Sequence, residues 1–293
     1  HSFTNKIMKL NLYFSLTALL LLLSQNIFSQ EVPVSDKDQL LFNKYVEQIT
    51  PYKDEPIETV LEKTARFFLE TPYVAHTLDK GEKEELVINL SELDCVTYVE
   101  NVLALSLAVR SADLTLEAFQ DKLREIRYRN NEVLDYASRI HYTSDWVFEN
   151  ERKGLLENIS KDLSGIKERK KVDFMSAHRN AYKQLTNDDA MLAKIVGIEN
   201  AINERGGFYY LPKELIASKA NDIPHMSVIG FVTSIDGLDT SHVGFAYHKN
   251  GELTFIHASS GVMKVVVDAK SLSDYCLSQR NCNGIIVAKV NKQ

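Results

Sequence analysis

The chain has 293 residues, with 34 Lys and Arg against 40 Asp and Glu, a formal net charge of −6 and a pI of about 5.8. Hydrophobic residues make up 44% and charged residues 25%; this balance excludes a disordered tail, a collagen-like fibre and a disulfide-dense mini-protein. The acidic excess argues against nucleic acid as a partner, because a phosphate-binding surface carries the opposite sign.

Residues 1–30 are expected to lie outside the fold. Lys6 and Lys9 give a positive start, Leu16 to Leu23 an apolar run interrupted only by Thr17, and Ser24-Gln25-Asn26 a polar turn before Phe28-Ser29-Gln30. This is the layout of a secretory signal peptide that starts at Met8 and is cut near Gln30. The run is short for a spanning helix, and no Cys near the cut offers a lipid anchor. Cleavage removes two lysines and no acid, leaving the mature chain at −8. The mature protein is therefore expected to be exported, periplasmic or secreted, without a stable membrane anchor. Export also frames the cysteines. Cys276 and Cys282 either close a small loop or stay as two buried thiols, and Cys95 is left as an inert or a reactive thiol.

Within 36–70, apolar residues at helical spacing predict helices from Asp36 and, after Pro56, from Ile57 to Leu69. Pro72 then forces Thr71 to Val74 into an extended form. Residues 86–90 read as a short strand or loop, and Ser91 to Asp94 offer N-cap residues. Cys95 to Arg110 is a largely apolar helix without Gly or Pro, expected to be central. An amphipathic helix follows in LTLEAFQDKLREIRYRN, then a stretch bearing Arg139, His141, Tyr142 and Trp146. Residues 151–171 mix Lys, Arg and Glu and read as a solvated face. Asn187 to Asn203 is helical, closed by Arg205-Gly206-Gly207. From 207 onward short β-rich runs alternate with turns at Asp236-Gly237, Asn250-Gly251, Ser260-Gly261 and Asn283-Gly284. They predict an antiparallel meander curling into a small barrel-like sheet. The expected fold class is α+β, with the Cys-bearing helix packed on that sheet. Residues 31–293 are expected to form a single catalytic domain with a helical insertion around 115–205.

Cys95 at a helix start faces free backbone N–H groups and the positive end of the helix dipole, which predicts a lowered thiol pKa and a site for an oxyanion. His242, Gly244 and Ala246 share one face of a strand. With Asn250 and Gly251 as central turn residues, positions summing to 501 lie opposite one another. Ala246 then faces Phe255, and His257 faces Gly244, diagonal to His242 on the same face. Gly244 leaves room between the two rings, so His257 can orient His242 for a nucleophilic Cys95. A zinc site from the same three residues is the other arrangement, although no CxxC, HxxxH or HxxE spacing supports it.

The set TPYVAHTLDK, ELDCVTYVEN and SHVGFAYHKNGELTFIHASS, in this order, resembles the NlpC/P60 superfamily of papain-like cysteine peptidases. The inserted SRIHYTSDWVFENERKGLL and Val96-Thr97 after the Cys resemble its DUF1460 branch, whose members are similar to N-acetylmuramoyl-L-alanine amidases. The likeness covers roughly 64–293 and departs at Glu70 and Ala75-His76. It implies a papain-like core with Cys95 as nucleophile, His242 as base and then acid, and His257 as its orienting partner. It also implies Tyr73 as a contributor to the oxyanion hole. Arg139 and His141 are candidates for substrate carboxylates, and Tyr142 and Trp146 for flat sugar or lactyl contacts. The implied partners are peptidoglycan fragments, the amide between muramic acid and L-Ala being the bond cut, with no metal, no cofactor and a monomeric chain. Two other readings are a D,L-endopeptidase cutting between D-Glu and the diamino acid, and a non-catalytic muropeptide-binding protein.

Overall fold

The computed structural model describes residues 32–111 and 114–291; the expected signal peptide lies outside them. From Val34 onward the chain forms one compact unit. Among the described residues no helix is long and apolar enough to cross a membrane.

The N-terminal half is helical for local reasons that the sequence states. Helix α1 (Asp36–Ile49) is capped by Ser35, whose side chain accepts from the Asp38 N–H, and α2 (Ile57–Phe67) starts after Pro56. Residues 86–90 are irregular. Helix α3 (Cys95–Ala108) is buried at every position from Thr97 to Ala108, as a helix apolar on all sides must be. Helix α4 (Leu116–Arg127) buries Phe119, Leu123 and Ile126. Helix α5 (Thr143–Arg152) and α6 (Asp189–Glu204) follow, with short helical turns between and after them.

The charged stretch 151–171 is not only a solvated face. It carries two three-residue strands, β1 (Leu156–Asn158) and β2 (Ile166–Glu168). Each is too short to show an alternating pattern and is recruited by backbone pairing alone. The remaining strands are β3 (Phe208–Pro212), β4 (Val228–Thr233), β5 (Thr240–Lys249), β6 (Glu252–Ser259) and β7 (Lys264–Val267). Helix α7 (Leu272–Ser278), unforeseen in the sequence, precedes β8 (Cys282–Val290).

The architecture is α+β, with α3 packed against β5 and β6. The sheet is antiparallel but is neither a simple meander nor a closed barrel. Its order is β2-β3-β8-β4-β5-β6-β7, with β1 also paired to β8. The last strand thus inserts between β3 and β4. Residues 285–288 are all buried, and a strand with such a continuous apolar run is stable only inside the sheet.

The β5–β6 hairpin has the expected register, with Phe245 opposite Ile256 and Ala246 opposite Phe255. Asn250 and Gly251 both have positive φ, 53° and 83°, as a two-residue type I′ turn demands. Two irregularities sit on either side of the end of β4. Ser241 is the extra residue between the pairs Val232–Thr240 and Phe231–His242. Asn283 is the extra residue between Val232–Gly284 and Thr233–Cys282. Such bulges kink strands and re-aim side chains; the first lies immediately before His242. Cys276 and Cys282 are joined by a disulfide that ties α7 to β8.

Candidate active site

Cys95 opens α3. The Asp94 carboxylate accepts from the Thr97 N–H at 2.7 Å, and Thr97 Oγ1 accepts from the Asp94 N–H at 2.9 Å, a reciprocal cap that fixes the helix start. Burial and the Asp94 carboxylate push the Cys95 thiol up to about 12, against the opposing pull of the backbone N–H groups of Val243, Val96 and Cys95 itself. This corrects the expected lowering: a full negative charge one residue away and the loss of water outweigh the partial charge of the helix tip. The resting sulfur is a thiol. Val243 directly follows His242, so β5 brings its backbone to the sulfur.

His242 and His257 meet as the hairpin register requires. His242 Nε2 lies 2.6 Å from His257 Nδ1, and His257 Nε2 lies 3.2 Å from Asp268 Oδ2. The tautomers follow from the end of this chain. The carboxylate can only accept, so His257 Nε2–H donates to it and His257 Nδ1 accepts from His242 Nε2–H. His242 Nδ1 is then left with its lone pair free. Burial among Phe231, Phe255 and Tyr275 lowers His242 to about 3, assisted by the neighbouring His257, while burial lowers His257 to about 4. Both rings are neutral at neutral pH. Gly244 is needed between them, since a Cβ there would stand 2.9 Å from the Ile256 carbonyl oxygen and 3.0 Å from His257 Cβ.

Tyr73 is held beside this group by three backbone hydrogen bonds. Its own N–H donates to Met263 O at 2.9 Å, the Val74 N–H to Leu93 O at 3.0 Å and the Leu93 N–H to Pro72 O at 3.0 Å. Burial, then the negative charges available to Cys95 and Asp94, push its hydroxyl up to about 12, so it remains a donor. Tyr275 is raised by burial and by Asp268 and Cys95.

Residues 139–146 are placed less uniformly. Arg139 is buried, 2.5 Å from Asp79 and 3.3 Å from Glu84, so its charge is already met by the protein. Tyr142 is buried, donating to Glu199 Oε1 at 2.7 Å and accepting from the Met175 N–H at 2.8 Å. His141 Nε2 donates to Tyr136 O at 2.7 Å, and burial and Arg139 lower it to about 3. Trp146 is buried with its indole N–H unpartnered among the described residues. His141, Tyr142 and Trp146 line a narrow apolar cavity of about 20 Å³ that also touches Val96 and Val243, the neighbours of Cys95 and His242. A wider cavity of about 370 Å³ opens on the other side, lined by His242, Tyr275 and residues 279–282. A third, of about 470 Å³, lies apart, between α5, residues 169–172 and the end of α6.

Sequence reasoning missed Asp268 and Tyr275. For Asp268 a signal existed: Val266 pairs with His257, and a residue two further along the strand falls on the same face. Tyr275 reaches the site from a helix that the sequence reading did not foresee. A neutral imidazole, a neutral thiol and N–H donors are what acyl transfer through a cysteine requires, and the Val243 N–H that reaches the sulfur directly follows His242 in β5. Among the described residues no group of three or more His, Cys, Asp or Glu side chains converges to hold a metal.

Comparison with known proteins agrees on the family. A model described as AmiA-like, N-acetylmuramoyl-L-alanine amidase-like, matches residues 63–285. The crystal structure of an N-acetylmuramoyl-L-alanine amidase from Bacteroides uniformis is 37% identical with a TM-score of 0.75, over 80% of this chain and 99% of that one. A Bacteroides fragilis protein named as a candidate xylanase is 36% identical with a TM-score of 0.73, over 77% and 98%. A Legionella pneumophila protein of the DUF1460 family is 25% identical with a TM-score of 0.66, over 87% and 95%. Comparison with curated proteins yields no match.

Proposed function

The chain belongs to the AmiA-like family of N-acetylmuramoyl-L-alanine amidase-like proteins, and from that premise we propose that it is an exported, monomeric cysteine amidase of the papain-like NlpC/P60 type. Its substrate is a peptidoglycan fragment, and it hydrolyses the amide between N-acetylmuramic acid and L-Ala. The mature charge of −8 suits small soluble muropeptides better than adherence to an anionic wall polymer.

In this reading Cys95 Sγ attacks the lactyl carbonyl carbon while His242 Nδ1 takes the thiol proton. The charge that develops on the carbonyl oxygen is met by the Cys95 N–H and the Tyr73 hydroxyl. The tetrahedral intermediate collapses to a thioester as the imidazolium of His242 protonates the departing α-amino group of L-Ala. Water then gives a proton to His242 and attacks the thioester; the sulfur recovers that proton and the carboxylic acid leaves. His257 holds the His242 tautomer, and Asp268 holds that of His257. Tyr142 and Trp146 are buried and His141 is held by Tyr136 O, so these three support the backbone around Val96 and Val243 and do not touch the sugar, and Arg139 anchors the loop at Asp79 and Glu84.

The observation that carries this reading is the continuous hydrogen-bonded series Asp268–His257–His242, which leaves His242 Nδ1 unprotonated on the residue directly before Val243, whose N–H reaches the Cys95 sulfur. A glycosidase reading lacks its usual pair of free carboxylates: Asp94 caps α3 and Asp268 holds His257. The test is mass spectrometry of products after incubating the full chain with an N-acetylmuramoyl tetrapeptide. Free N-acetylmuramic acid and an L-Ala-terminated peptide are expected, with turnover falling at least about a thousandfold in Cys95→Ala. A muramyl dipeptide product would instead establish the endopeptidase cut. Undiminished turnover in Cys95→Ala would overturn the cysteine mechanism, and intact substrate retained by the parent chain would leave a binding protein.

A further inference from the structure

The wider cavity beside His242 has a feature that the amidase reaction alone does not require. Its outer wall is the short loop between α7 and β8, closed at its base by the Cys276–Cys282 disulfide. The loop is a tight turn, with the Cys282 N–H donating to Gln279 O at 3.1 Å, and its next contact along the sheet is the Ser234 N–H donating to Asn281 O at 2.8 Å. Arg280 stands at the tip of that turn. It lines the cavity, and among the described residues no carboxylate pairs with it. No Asp or Glu lines the cavity, and its other polar groups are neutral.

We propose that Arg280 is a specificity-determining residue which binds a carboxylate on the peptide side of the scissile amide, and that the Cys276–Cys282 disulfide presents it. This rests on the amidase reading. In that reaction His242 hands its proton to the departing amine, so the peptide leaves along the wall that His242 lines. The cavity on the Val96 side, of about 20 Å³, is too small for a substrate group, whereas the polar cavity of about 370 Å³ that His242 and Arg280 line has room for the amine portion. A muramyl peptide carries carboxylates from its second residue onward, and a free guanidinium in a preformed turn offers the paired donors that a carboxylate takes. Arg139, which the sequence suggested for this role, is occupied by Asp79 and Glu84. Arg280 has no such competitor, and the staple limits the ordering that binding must supply.

The experiment compares two probes, N-acetylmuramoyl-L-alanyl-D-glutamate and its diamide, in which both carboxylates become carboxamides. In the parent chain the ratio of kcat/KM for acid over diamide is expected at about 10 to 100, the range of one charge-assisted pair. In Arg280→Ala the ratio should fall to near 1, the loss lying in KM for the acid. Arg280→Lys should recover part of it. Reducing the disulfide, or Cys276→Ser with Cys282→Ser, should lower the ratio in the same direction. An unchanged ratio in Arg280→Ala, together with lost turnover in Cys95→Ala, would overturn the Arg280 assignment alone. Persistent turnover in Cys95→Ala would instead overturn the reading beneath it.

Discussion

Burial, assisted by Asp94 at Cys95 and by His257 at His242, gives these two groups opposite displacements with the same result. The thiol is raised to about 12 and the imidazoles are lowered to about 3 and 4, so each group is held in its neutral form. In the proposed reaction, proton transfer would therefore start from an uncharged pair and accompany attack, rather than precede it as a standing thiolate–imidazolium pair. The sign is open to measurement. Below a thiol's pKa the reactive thiolate fraction rises tenfold per pH unit. Both imidazoles are already neutral above about pH 4, so no imidazolium is present to hold a thiolate. Cys276 and Cys282 are joined, which leaves Cys95 as the free cysteine of the three in the chain. Labelling of the native protein by iodoacetamide, followed by intact mass, should accelerate roughly tenfold per pH unit between about pH 7 and 9. A rate that is already flat at pH 7 would mean a standing ion pair and would contradict the neutral assignment.

At the scale of elements, the β5–β6 hairpin was legible because three local rules agree: a two-residue Asn-Gly turn, period-2 faces, and a glycine where two rings must approach. The position of Cys95 was legible from Asp94 and the apolar run behind it. Other features were not, for physical reasons. The central place of β8 depends on competition among strands for the buried position, which no single strand reveals. The strands β1 and β2 are three residues each and carry no pattern. Arg139 and Arg280 look alike in the sequence; only the fold decides that one meets Asp79 and Glu84 while the other faces a cavity. Gly244 gives this scale its test. Its added Cβ would meet the Ile256 carbonyl oxygen at 2.9 Å and His257 Cβ at 3.0 Å, and neither can yield without moving β6. Gly244→Ala should cost about 1–3 kcal/mol of stability, as overpacking does, and reduce turnover through the displaced His257. Gly197→Ala, in α6 with nothing within 4 Å of its added Cβ, should gain up to about 1 kcal/mol from helix propensity. Urea midpoints that place Gly244→Ala level with the parent would show that the hairpin tolerates a side chain between its histidines.

Across the whole molecule, Arg127, Tyr128 and Arg139 support the loop that leads into Cys95. Arg127, from α4, is 1% exposed and pairs at 2.7 Å with Glu100 of α3, itself 2% exposed, while Arg127 Nη1 donates to Val87 O at 2.9 Å. The Tyr128 hydroxyl donates to Glu84 at 2.8 Å, and Arg139 reaches Asp79 and Glu84. These bonds fix residues 79–87, which have no regular structure of their own, beneath the helix that Cys95 opens. Breaking a buried pair from one side leaves an unpaired charge, so Arg127→Met should cost about 3–5 kcal/mol. Replacing both partners, Arg127→Met with Glu100→Leu, should cost less than the single change, because no charge is then stranded. The pH dependence has a definite sign. Burial already raises Glu100 above its usual range, and losing Arg127 raises it further. The folded variant then holds a proton that the unfolded chain releases above the ordinary Glu pKa, so its stability relative to the parent improves as pH falls. The penalty for Arg127→Met, read from urea unfolding, should therefore be smaller at about pH 5 than at about pH 8. An equal penalty at both values, with a double variant no more stable than the single, would mean that the pair contributes packing and not compensation of charge.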